Sequence, residues 1–69
     1  MRVPEALALI HAAIDDGKRR GDVYAEMADE AVKALEKVLE TDDEYGVNPG
    51  ARTRLESALV RIASKLEGK

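Results

Sequence analysis

Between Asp22 and Glu40 the apolar residues fall on two neighbouring helical seams rather than one. Tyr24, Met27, Ala31, Leu35 and Val38 recur at three- and four-residue spacing, the mark of one helix face. Ala25, Ala28, Val32, Leu35 and Leu39 do the same on a neighbouring face, since each residue turns a helix by about 100°. A helix with two adjacent apolar stripes calls for two neighbours, and the chain holds one candidate on each side. The pattern therefore predicts an all-α protein: an antiparallel three-helix bundle, one domain over residues 1–69, with helices at about 4–16, 23–40 and 49–67. Leu35 belongs to both seams and is the expected centre of the middle helix.

Local punctuation sets the expected boundaries. Pro4 suits a first helical turn, where its missing N–H would have no partner anyway. Leu7, Ile10 and Ile14 form the core stripe of the first helix, with Leu9 and Ala13 alongside. Gly17 is expected to stop it, because glycine takes the left-handed cap conformation without steric cost. Lys18-Arg19-Arg20-Gly21 then reads as a basic turn. Asp22 is a good N-cap, and Glu26, Asp29 and Glu30 suit the positive end of the middle helix. Acidic residues from Glu40 to Glu44 crowd its negative end, which argues for termination there. Asp42 to Gly50 reads as the longest loop. Asn48-Pro49 is a start signal for the third helix, which points Leu55, Leu59, Ile62 and Leu66 inward, with Ala51 and Ala58 as close-contact positions and Val60 off the stripe.

Composition narrows the function classes. A 69-residue chain buries only about 60% of its unfolded surface, so its core must be used efficiently. Eleven alanines and the absence of Phe and Trp imply close helix approach. A drug-sized pocket needs about 300 Å³ or more, which is not expected in so small a core. The net charge of −3 gives no global pull toward nucleic acid. There is no cysteine, hence no disulfide and no thiolate metal site. The longest apolar run, Ala6 to Ile10, falls far short of the roughly 20 residues that span a bilayer. The residues from Met1 to Pro4 carry no secretory pattern, so a cytoplasmic location is the default expectation.

Catalytic and metal chemistry find little support. His11 is the only histidine. His11 and Asp15 share a helix face, yet two ligands are too few for a structural metal site. The acidic loop from Asp42 has Gly46 at its fifth position and Thr53 at its twelfth, where a calcium loop needs oxygen ligands and a bidentate Glu. Ser57 and Ser64 lie outside any nucleophile elbow. The segment Gly46-Val47-Asn48-Pro49-Gly50 lacks the Lys-Ser/Thr of a phosphate loop. No enzyme activity, cofactor or metal is expected. Lys18, Arg19 and Arg20 lie at the opposite end of the middle helix from Arg52 and Arg54, with Arg61 and Lys65 nearer to them, so the basic residues do not add up to one nucleic-acid patch.

The order of elements resembles the microtubule-interacting-and-trafficking domain. The similarity is carried by Ala12-Ala13-Ile14-Asp15, Ala25-Glu26-Met27-Ala28-Asp29-Glu30-Ala31 and Ala63-Ser64-Lys65-Leu66. Ala28 stands where that family favours Tyr, and Ile62-Ala63 replaces its Arg-Ala. The resemblance implies a three-helix fold that binds short peptides in grooves between helices. More locally, Asn48-Pro49-Gly50-Ala51-Arg52 resembles the entry to a helix in the small terminase subunits of tailed phages.

The leading expectation is a non-catalytic protein-interaction module that binds a helical peptide or protein partner in an inter-helix groove. Its candidate groove residues are Ala51, Arg54, Ala58, Val60 and Arg61, the arginines steering an acidic partner. A designed or purely structural bundle without activity is the alternative, since frequent Ala, Leu, Glu and Lys with capped helices also follow design practice. A small phage or viral nucleic-acid-associated protein is a further one. Monomer and dimer both remain open.

Overall fold

Proline near the start of the chain, aspartate after the first turn and proline again before the last apolar stripe begin three helices. They are α1 (Val3–Arg19), α2 (Val23–Tyr45) and α3 (Pro49–Glu67). The computed structural model describes residues 1–46 and 49–68, and among them there is no strand. The three-helix, all-α reading therefore holds. Asn48, read as the cap of α3, lies outside the described residues.

The end of α1 differs from the expectation. Gly17 does not stop the helix; it lies inside it and is buried. The stop is Gly21, whose φ of +75° is the left-handed region that favours glycine. Asp22 N–H donates to the Gly17 carbonyl at 2.9 Å and Gly21 N–H to the Lys18 carbonyl at 3.0 Å. This pair of bonds satisfies the last carbonyls of α1 as in a Schellman closure. Lys18 and Arg19 are thus helical, and the turn is short. Asp22 caps α2 as expected, its carboxylate accepting the Tyr24 N–H at 2.9 Å.

The second helix runs about one turn beyond the expected Glu40, so the acidic residues there are helical rather than loop. It ends at Gly46, which has a φ of +60° and donates its N–H to the Asp42 carbonyl. What offsets the crowded negative charge comes from α3. Arg52 sets its guanidinium against the Asp42 carboxylate at 2.9 Å and the Leu39 carbonyl at 3.3 Å. It also pairs with Asp43. A single arginine thereby supplies positive charge at the C-terminal turn of α2 and joins the start of α3 to it.

The core is a line of small and branched aliphatic side chains. Ala6, Ile10 and Ile14 of α1 meet Val32 and Leu39 of α2 and Leu59 and Ala63 of α3. Leu59 is the one large side chain that is fully buried among the described residues, at 1% exposure. Ala6 and Ala63 are wholly buried as well. Helix α1 packs along both others, whereas α2 and α3 meet only sparingly. The Cα envelope is accordingly flat, 38 × 23 × 14 Å.

That arrangement corrects the expectation for Leu35. Ala25, Val32 and Leu39 are the buried residues of α2, and Leu35 is only half-buried. It packs against the core from the edge. The reason is that α2 has one full-length neighbour, α1, instead of two. The seam through Ala25, Val32 and Leu39 takes that neighbour, and the other seam faces outward.

Two polar links fasten α1 to α2 on the opposite edge. His11 Nε2 lies 2.6 Å from Glu36 Oε1. Lys18 Nζ donates to Asp29 Oδ2 at 2.6 Å, and Lys33 reaches the same oxygen at 3.0 Å. The hydrogen bond from Lys18, followed by that from Lys33, lowers the Asp29 pKa below its ordinary 3.8. The same bond raises Lys18 above 10.5. Asp29 therefore contributes stability that is present above its ordinary pKa and lost as pH falls through the lowered folded value. Lys18 contributes stability that is present below its ordinary pKa and lost as pH rises through the raised one. We expect the urea midpoint of the wild type to fall as pH drops below about 4, and to fall less steeply in Asp29→Asn. Parallel acid profiles for the two proteins would show that this link adds nothing.

Candidate functional site

The outward seam of α2 and the inner face of α3 form the walls of an open apolar trough. On α2, Tyr24, Met27 and Val38 are 79%, 62% and 52% exposed. On α3, Ile62 is 48% exposed. Ile10 and Ile14 of α1 form the floor, with Ala28 and Leu35 on one wall and Ile62 and Leu66 on the other. This depression holds about 450 Å³. A second, of about 400 Å³, lies further along α2, where Ala34 and Val38 face Ala51 and Leu55. Both are larger than so small a core was expected to leave. Both lie between α2 and α3, which meet only sparingly, so the space is an open furrow rather than a void inside the core.

The candidate groove residues are divided by this geometry. Ala51 lines the depression between α2 and α3. Val60 and Arg61 line a shallow surface beside Met1 to Pro4, against the start of α1. Ala58 is half-buried and Arg54 exposed. The five residues do not line one furrow. Sequence reasoning placed Tyr24, Met27, Ala31 and Val38 in the core, although the same spacing identifies an apolar face whether or not anything covers it.

The other candidate groups are in ordinary structural contacts. His11 turns to Glu36 of the neighbouring helix, not to Asp15 of its own. No group of three or more potential metal ligands occurs among the described residues. Ser57 and Ser64 are exposed on α3. Of the basic residues at the first turn, Lys18 pairs with Asp29 and Arg20 with Asp16 at 3.1 Å. At the other end Arg52 is held among Asp42, Asp43 and Glu56. Lys18, Arg20 and Arg52 thus have acidic partners within the fold. No helix among the described residues is long and apolar enough to cross a membrane.

The chain matches no protein-family profile, no curated protein and no solved structure.

Proposed function

We propose that this chain is a non-catalytic helical interaction module whose binding face is the α2–α3 side. One observation carries the reading: α2 keeps a second apolar row, Tyr24, Met27, Ala31 and Val38, that no helix among the described residues buries. Exposed apolar residues scattered singly need no explanation. A row of them beside a furrow does, since a helix of a partner can lay its apolar face there and anchor at i, i+3 and i+7. Exposed Arg54 stands at the start of α3, where a cation affects the rate of encounter with an acidic partner more than the affinity. The likeness to microtubule-interacting-and-trafficking domains points in the same direction.

The test is an NMR titration with a set of amphipathic helical peptides. Saturable shifts are expected for amides of residues 24–38 and 51–66, with Val60 and Arg61 moving least. Ile62→Glu should abolish them without loss of helix, because its side chain is already half exposed. A folded chain whose amides respond to no member of a varied peptide set would overturn the proposal.

A further inference from the structure

Tyr24, Met27, Ala31, Ala34, Val38 and Thr41 alternate at steps of three and four residues. These are the a and d positions of a heptad repeat, carried along nearly the whole of α2. All six are exposed. The molecule as a whole also has surface to spare. A compact monomer of 7.5 kDa exposes about 4,200 Å², whereas this chain exposes 5211 Å². The excess of about 1,000 Å² is comparable to the roughly 800 Å² that each partner buries in a standard protein interface. The broad side of the flat molecule, 38 by 23 Å between Cα limits, is large enough to hold such an interface.

We propose that a second copy of this chain covers the seam, with the two α2 helices packed antiparallel about a two-fold axis between the Ala31 and Ala34 levels. This rests on the interaction reading above and names its partner. In an antiparallel pair each a position faces a d position of the other helix. Here one register satisfies the whole seam: Met27 meets the second copy's Val38, Ala31 its Ala34 and Tyr24 its Thr41. Alanines at the centre let the axes approach to about 8 Å, the near end of the helix-packing range. Burying Thr41 strands no donor, because its hydroxyl already donates to the Lys37 carbonyl at 2.9 Å.

Charge selects the same register. Glu30 and Lys37 flank the seam on one side, a heptad apart, and both are exposed. In the antiparallel register Glu30 of each copy faces Lys37 of the other, so the two-fold axis makes two attractive pairs. Sliding by one heptad in either direction brings Glu30 against Glu30, or Lys37 against Lys37. Flanking charges set partner orientation in helix pairs in this way. A parallel pair would instead turn Lys37 toward Asp42, whose carboxylate Arg52 already holds.

Sedimentation of the full chain from about 1 µM to 1 mM tests the proposal. A concentration-dependent dimer is expected, and Met27→Glu should leave a helical monomer. Glu30→Lys and Lys37→Glu each convert two attractive pairs into repulsive ones and should weaken dimerisation about tenfold. Each variant then carries one sign of charge at positions 30 and 37, and the two signs are opposite. An equimolar mixture should therefore recover association as a heterodimer. A wild type that stays monomeric and helical throughout overturns the proposal, as does a dimer indifferent to Met27→Glu or a mixture no tighter than its components. In the monomeric case the peptide titration separates the outcomes: shifts leave the interaction module standing, and their absence removes both.

Discussion

Leu59→Ala is expected to cost about 3–5 kcal/mol, the upper part of the range for buried leucine truncations. Leu59 is 1% exposed and belongs to one core cluster with Ala6, Ile10 and Ile14 of α1 and Val32 and Leu39 of α2. Removing its isobutyl group loses the transfer free energy of the atoms and leaves a gap in that cluster. Collapse of that gap is hindered because the neighbouring Ala6 and Ala63 are wholly buried and have nothing longer to move into it. A chain of this length has a total stability on the order of 3–10 kcal/mol, so the variant should be largely or wholly unfolded at room temperature. Leu35→Ala should cost distinctly less, about 1–2 kcal/mol, because Leu35 packs on the edge of the core and is already partly exposed. Urea melts of both variants check the pair. Equal losses, or a larger loss at Leu35, would mean that α2 is enclosed on two sides and that the open trough is absent in solution.

Gly17→Ala should also destabilise the protein, by about 1–3 kcal/mol, although alanine is the better helix former by about 1 kcal/mol. A Cβ at position 17 would lie 2.8 Å from the Cβ of Ala25. Neither atom is the end of a flexible side chain, so the clash can be relieved only by moving α1 away from α2 near their connection. Buried Ala25 sits in the first turn of α2, and the displacement would be carried along the helix toward Val32. The compensating variant is Ala25→Gly in the Gly17→Ala background, which exchanges the positions of the methyl group and the empty site. It should recover part of the loss in thermal melts. A stabilised Gly17→Ala single variant would show that helix propensity governs this position and that the close approach is not needed.

Periodicity and caps were enough to establish that the chain forms three helices. The i, i+3, i+4 spacing of Leu7, Ile10 and Ile14, of Val32, Leu35 and Leu39, and of Leu55, Leu59 and Ile62 leaves no other regular structure, and Asp22 marks the start of α2 by the bond its carboxylate makes. These signals are legible because they act between residues close in sequence. Tertiary structure decided where two of the helices end. Gly17 and Gly21 are both credible stops; only the approach of Ala25 shows that the first is needed for contact and the second for its positive φ. The acidic residues from Glu40 to Glu44 argue for termination until Arg52 arrives from another helix to offset them.

The candidate site divides in the same way. The two seams of α2 were visible as a pattern, but a pattern states only that a face is apolar, not what covers it. Leu35 and Val38 look as central as Val32 when every apolar stripe is assumed to meet a neighbour. Packing α1 against both other helices leaves α2 and α3 to diverge, and that geometry depends on how close Ala6, Gly17, Ala25 and Ala63 allow the helices to come. Such distances are set between residues far apart in the chain, where no spacing rule reaches. The sequence by itself therefore determined the helices and their apolar faces, and only the tertiary structure decided which of those faces is core and which remains open, because that choice depends on inter-helix distances.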